Sequence, residues 1–286
     1  MNKIKVGVIG CGFVGSAVAA GFALKADVKI YDKHKDGFDT LSAVCGQDII
    51  FLCLPTPMRK SDGLPEMSFI HDAIMAIQHE LAMQNNWGRK IIVIKSTVLP
   101  GTNRALQEAY PQFTFVSNPE FLTARSARLD FINAARVIIG GENSVATNLV
   151  AELYRTISTH TPVYLCAWEE AEFVKYMCNC FFALKITYLN EIYLTCKNIG
   201  ISYNHVKQMF LADGRIGNSH HEVPGHDGDL GFGGTCFPKD TSAFVEWAKQ
   251  SGGGIFLLDV AQHINNAIRK NKDWEVFDDT QEGVRP

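Results

Sequence analysis

Three glycines, Gly10, Gly12 and Gly15, follow an apolar run and open a helical pattern in the order G-x-G-x-x-G. In that context Gly10 permits the tight turn, Gly12 lets a pyrophosphate approach the backbone, and Gly15 lets helix and strand pack closely. The helix N-terminus then faces the phosphates, and Phe13 and Val14 occupy the variable positions of the same expected cofactor cradle. Asp32 ends the next apolar run, 22 residues after Gly10. A carboxylate there binds ribose hydroxyls and repels a 2′-phosphate, which favours NAD over NADP. Lys33 and Lys35 soften that preference, and a turn cap is the plainer reading of the aspartate.

The second chemical signal is GFGGTCFPKD at residues 231–240. Pro238 suits the first position of a helix, which puts Cys236 just before a helix N-terminus and close to Lys239 and Asp240. The dipole and the lysine both favour thiolate, the nucleophilic form. Gly233 and Gly234 leave room for a substrate to reach the sulfur. A buried structural cysteine describes Cys53 or Cys196 well and Cys236 poorly, since a glycine loop and charges are no core environment. Pro55-Thr56-Pro57 and Lys95-Ser96-Thr97 end two further strands, the edge at which open α/β sheets bind ligands. The hydroxyls of Thr56, Ser96 and Thr97 suit a cofactor ribose, a nicotinamide or a water, or simple turn chemistry.

These residues need elements to position them. Short β-branched runs at 3–9, 28–31, 48–54, 90–95, 113–117, 136–139 and 162–165 alternate with helical patterns. That is βαβ alternation, and it predicts an α/β fold: an N-terminal Rossmann-type, doubly wound parallel sheet covered on both faces. Residues 169–196 then read as one long helix, apolar on nearly every side, which must be buried within the domain or against another subunit. The boundary therefore falls near residue 166, giving a sheet domain at 1–166 and a mostly helical domain at 167–286 built on the long helix. Further helices are expected at 204–211, 238–250 and 257–272, before a polar, frayed tail at 273–286. Between them, residues 213–235 hold seven glycines without periodicity but with Arg215, histidines and acids. Such a loop reads as functional rather than disordered.

The composition narrows the partners. Of the 286 residues 47% are hydrophobic, enough for a substantial core, and the net charge of -3 is spread along the chain. No basic stripe invites nucleic acid or an anionic membrane. The eight cysteines show no zinc-type spacing and read as reduced, hence cytoplasmic. The start, MNKIKVGVIGC, superficially resembles a lipoprotein cleavage site, but its apolar run is too short for a signal peptide. No uninterrupted apolar stretch reaches the roughly 20 residues of a membrane helix.

GFGG-x-CFPKD is the nucleophile motif of the UDP-glucose/GDP-mannose dehydrogenase family, which the chain resembles from residue 6 to 240. The glycine fingerprint with Asp32, PTP at 55–57, KSTV at 95–98, NPEFL at 118–122, DFINAARVIIGG at 130–141, KYMCN at 175–179 and RIG at 215–217 follow in the family's order. The resemblance implies NAD as cofactor and a nucleotide sugar as substrate, with UDP-glucose oxidised to UDP-glucuronate through a cysteine thioester. Cys236 matches the nucleophile, Asp240 the acid that positions a water or proton acceptor, and Lys175 and Asn179 the oxyanion pair. Four apart on a helix, that pair shares one face. Thr97 matches the residue holding the catalytic water and Glu120 the carboxylate of thioester hydrolysis. Pro55, Thr56, Ser96, Thr97 and Lys239 fall at cofactor positions, and Phe121, Leu122, Lys175, Arg215, Gly231, Phe232 and Gly233 at substrate positions.

Two departures stand out. Family members carry an acid two positions after NPEFL, where this chain has Ala124, and they add a second Rossmann-like domain after the long helix, whereas this sequence stops at Pro286. Two rivals follow. One is a β-hydroxyacid dehydrogenase, which shares the Lys-x-x-x-Asn pair and needs no cysteine. The other is a low-turnover protein that binds NAD and a nucleotide sugar and works with a partner chain. The apolar long helix predicts a homodimer.

Overall fold

The computed structural model describes residues 3–85, 88–123 and 125–276. The β-branched runs form seven short strands: β1 (Lys5–Ile9), β2 (Asp27–Tyr31), β3 (Ile49–Leu52), β4 (Ile91–Ile94), β5 (Thr114–Ser117), β6 (Val137–Gly140) and β7 (Val163–Cys166). They lie in one sheet in the order β2-β1-β3-β4-β5-β6-β7. Side chains alternate between its faces, as a period of two requires. Ile49 and Phe51 join one core with α1 (Phe13–Phe22) and α6 (Ser144–Arg155), while Ile50 and Leu52 join another with α3 (Ser68–Met83) and α4 (Thr102–Ala109). Burial on both faces explains why the strands read as continuous apolar runs.

All the strand pairs are parallel except β5 with β6, which meet antiparallel at Ser117 and Gly140. The sheet is thus parallel as expected, with a single antiparallel junction between β5 and β6. The connection there holds only the six-residue α5 (Ala127–Ile132), about 9 Å long. Packed on α1, it returns the chain to the sheet at the edge it left.

The chain divides into two compact units, Met1–Thr56 with Glu66–Lys175, and Pro57–Pro65 with Tyr176–Pro286. The first runs past residue 166 into the long helix α7 (Trp168–Ile199). The second holds the rest of α7 with α8 (Tyr203–Leu211), α9 (Phe237–Gln250) and α10 (Phe256–Ile268), where Tyr176 stacks on Phe244 with centroids 5.4 Å apart. Within this chain helix α7 is not buried all round, so the first of the two expected coverings, burial within the domain, is incomplete. Tyr176, Cys180, Ala183 and Asn190 are buried, whereas Phe173, Met177, Phe181 and Tyr188 form an exposed stripe beside them. Helix α10 ends at Ile268, earlier than expected, because Arg269 turns extended. The tail starts with an ordered turn at Asp273–Val276.

The N-cap of helix α4 is Gly101, which has no side chain to cap it; Glu172, the fifth residue of α7, supplies the cap. Its buried carboxylate accepts from Gly101 N at 2.7 Å, Asn103 N at 2.8 Å and Asn103 Nδ2 at 2.7 Å. Burial pushes its pKa up to about 7, against the pull of those donors. Since the folded value exceeds the unfolded one, the associated stability is fully present below pH 4.5 and lost as pH rises through 7. The loss is on the order of 3 kcal/mol. Urea unfolding at pH 4.5 and 8 should show this slope in the natural protein and a flatter one in Glu172→Gln. Equal slopes in the two would remove the assignment.

Candidate active site

At the turn after β1, Gly10 takes φ +90°, and a Cβ there would lie 2.5 Å from the Cys53 carbonyl oxygen. A side chain at Gly15 would run into the Gly10 carbonyl, whereas one at Gly12 meets nothing within 4 Å. The N-terminus of α1 is therefore open to a phosphate at Gly12. β1 lies between β2 and β3, so this turn sits at the point where the strand order reverses. Asp32 is fixed over the turn, its Oδ2 accepting from Cys11 N at 2.7 Å and its Oδ1 from His34 N at 2.9 Å. Each oxygen keeps acceptor capacity for a hydroxyl. Lys35 donates to the Cys11 carbonyl oxygen at 2.9 Å. These residues fit the pyrophosphate and ribose of NAD. Asp32→Ala should weaken NAD about 10- to 100-fold, the value of hydrogen bonds to a charged group, and relax discrimination against NADP. Titration with both cofactors checks this, and unchanged affinities would refute the fingerprint.

At the next strand ends the hydroxyls serve the backbone. Ser96 Oγ donates to the Leu54 carbonyl oxygen at 2.7 Å and accepts from Leu54 N at 3.0 Å, and Thr56 Oγ1 donates to the Thr97 carbonyl oxygen at 2.9 Å. They tie the ends of β3 and β4 together, with Pro55 exposed beside them. Lys95 is buried, which pulls its ammonium down to about 8, and donates to Asn118 Oδ1 and the Pro119 carbonyl oxygen. It thereby holds the start of NPEFL. Glu120 forms a buried ion pair with Lys175, 3.0 Å apart, and accepts from Leu122 N at 2.6 Å. The Lys175 ammonium lies over the Phe121 ring at 5.6 Å. Two expected catalytic residues are thus in direct contact in the first unit. Ala124 lies outside the described residues.

In the second unit Cys236 is the N-cap of α9, Phe237 opens the helix and Pro238 takes its second position. The first turn brings the Asp240 backbone N–H to the Cys236 carbonyl oxygen at 2.8 Å. The Asp240 side chain is 1% exposed. Its Oδ2 accepts from Asn179 Nδ2 and its Oδ1 from Lys239 Nζ, both at 2.5 Å, so the carboxylate is pinned on both oxygens. Lys239, expected at the cofactor, pairs with Asp240. Gly234, at φ +76°, has open space where its Cβ would lie; at Gly233 that space is filled by the Arg269 guanidinium. The room expected for substrate at Gly233 is taken by an arginine. Gly231 packs on Asn265, and Phe232 is buried against Phe237. Arg215 is 89% exposed and paired with Asp213.

Reading the sequence misses Glu172, Asn190, Asn265, Arg269 and Asp273. The available signal is a polar residue on an otherwise apolar helical stripe, as in YLNEIY, or a pair four apart, as with Asn265 and Arg269. Among the described residues no helix is long and apolar enough to cross a membrane. All eight cysteines are free thiols.

Residues 33–158 match the NAD binding domain of the UDP-glucose/GDP-mannose dehydrogenase family, and residues 169–267 match that family's central domain. The chain belongs to this family. The first match begins one residue after Asp32, so the glycine turn stands on its own geometry. UDP-glucose 6-dehydrogenase of Rhizobium meliloti is 34% identical over 238 residues, covering 80% of this chain and 52% of that protein. The Bacillus subtilis UDP-glucose 6-dehydrogenase TuaD is 34% identical over 238 residues, covering 81% and 49%. A UDP-glucose dehydrogenase structure from Pyrobaculum islandicum aligns with a TM-score of 0.82 at 28% identity, over 92% of this chain and 68% of that one. The chain spans about half the length of the curated relatives it matches. Its first unit carries the family's NAD binding domain.

Proposed function

We propose that this dehydrogenase-family chain oxidises the primary alcohol of a nucleotide sugar to the acid through a thioester on Cys236, with UDP-glucose to UDP-glucuronate the first conversion to test. The observation that carries the reading is the cysteine turn, in which Cys236 caps α9 while Asp240, closing that turn, is held by Asn179 and Lys239. Gly12 and Asp32 would hold NAD, which accepts one hydride at each of two oxidations. The first oxidation turns alcohol into aldehyde, with the hydride leaving carbon and the hydroxyl proton leaving to water. The Cys236 sulfur adds to the aldehyde carbon, the oxygen takes up a proton, and a thiohemiacetal results. Loss of a hydride from that carbon and of the hydroxyl proton leaves the thioester. Water then breaks the carbon–sulfur bond, releasing acid and returning the thiol. Lys175 and Asn179, one turn apart on α7, stabilise charge on oxygen at the tetrahedral stages, and Glu120 with Thr97 serves the water.

NADH released per sugar nucleotide consumed tests the reading. Two equivalents support it. One equivalent supports a β-hydroxyacid-type dehydrogenase, and binding without NADH supports a low-turnover protein that needs a partner chain. The exposed stripe Phe173, Met177, Phe181 and Tyr188 supports a homodimer as part of the proposal. Sedimentation at micromolar concentration should give twice the mass of 31.7 kDa; a stable monomer would count against it.

A further inference from the structure

The loop before Cys236 has little regular structure of its own, yet its backbone is held at Leu230 O, Gly231 N, Phe232 N and O, and Gly234 N by side chains from elsewhere in its unit. Gly231 N donates to Asn190 Oδ1 at 2.9 Å and Phe232 N to Asn265 Oδ1 at 2.7 Å, and Asn265 Nδ2 returns a bond to the Phe232 carbonyl oxygen at 2.9 Å. Gly234 N donates to both Asp273 oxygens at 3.0 Å. Arg269 reaches the Leu230 carbonyl oxygen at 3.3 Å, pairs with Asp227 at 2.5 Å and lies 3.7 Å from Asp273. Its side chain is 1% exposed, and its guanidinium fills the place of a side chain at Gly233. Burying an arginine and two asparagines is costly unless each is fully bonded. Here each of the three sends at least one bond to one short stretch that ends two residues before the expected nucleophile. A loop that only closed a gap between helices would not require a reciprocal amide pair and a guanidinium fork.

We infer that Asn265 and Arg269 are positioning residues for Cys236, fixing the glycine loop so that the sulfur keeps its place at the N-terminus of α9 through the covalent steps. This rests on the proposed thioester chemistry, in which only the steps after the first hydride need the sulfur. Misplacement should therefore impair the second oxidation more than the first.

The test uses the full chain with Asn265→Ser and Arg269→Lys. The first measurement is the rate of Cys236 alkylation by iodoacetamide across pH, read by peptide mass with the Cys178 peptide as internal reference. The second is NADH released per UDP-glucose. Asn265→Ser should slow acid formation about 100-fold, the scale of a 1 Å misplacement, with NADH per sugar falling from two towards one and NAD affinity unchanged. Its Cys236 alkylation profile should shift while that of Cys178 does not, and Arg269→Lys should lie between it and the natural protein. Should Asn265→Ser not fold, Arg269→Lys decides alone. A Cys236 profile and a two-NADH stoichiometry that both persist in the folded variants, even with lowered Tm, would overturn the inference in favour of a purely structural role. If the natural protein releases no NADH, the proposed function fails, and the alkylation profiles still decide whether these residues set the sulfur's environment.

Discussion

Cys236→Ser is expected to stop acid formation while leaving NAD bound. The proposed cofactor residues Gly12 and Asp32 belong to the first unit and Cys236 to the second, so affinity for NAD should be unchanged. A few per cent of an ordinary thiol is thiolate at neutral pH, whereas a serine hydroxyl is negligibly ionised there. Acid formation should fall on the order of 10⁴-fold or more, as when single members of other covalent machinery are removed. The first hydride transfer does not need the sulfur, so aldehyde should appear with about one NADH per sugar. Product mass and NADH absorbance measured together check this. Acid produced by the serine variant at the natural rate would refute the thioester route.

Lys175→Met should show two separable losses. The Lys175–Glu120 pair is buried, at 5% and 9% exposure, so removing the ammonium strands a carboxylate in a low-dielectric interior. Breaking such a pair costs about 3–5 kcal/mol of stability. Adding Glu120→Gln removes the stranded charge and should recover most of that loss. Turnover should stay down about 10²–10³-fold in the single variant, the scale of one lost oxyanion donor, and at least as far in the double variant, which also lacks the proposed Glu120 carboxylate. Thermal melting with parallel NADH assays distinguishes the two effects. Recovery of turnover with stability in the double variant would make the lysine a structural ion-pair partner and nothing more.

The sheet was legible because strands buried on both faces declare themselves as apolar runs, and the observed bounds differ from the sequence reading by only a residue or two. The glycine turn was legible because each glycine answers a local demand, confirmed at Gly10 by φ +90° and at Gly15 by its neighbour's carbonyl. Strand direction at β6 was not, since it depends on how α5 packs on α1. Nor was the exposed stripe of α7, because an apolar residue looks the same in sequence whether covered or bare. At the site, the cysteine and its helix were legible from Pro238 and the glycines. The partners of the loop were not: Asn190 meets Gly231 across 41 positions and Asn265 meets Phe232 across 33. Gly233 shows the limit most sharply, because an absent side chain signals vacancy in a sequence and Arg269 occupies it in the fold.

The assignment of Pro57–Pro65 to the second unit bears on the order in which the chain is made. This segment leaves the ribosome before the 110 residues of Glu66–Lys175 that complete the first unit. At about 5–20 residues per second, roughly 5–20 s of synthesis separate it from Tyr176. Strand β4 can pair with β3 in that interval, with the nine residues looped out and waiting. The nucleotide-binding sheet can thus be finished during translation, whereas the unit bearing the cysteine has to gather a segment made early and a helical stretch made late. The unit that contains Cys236 is thereby completed last.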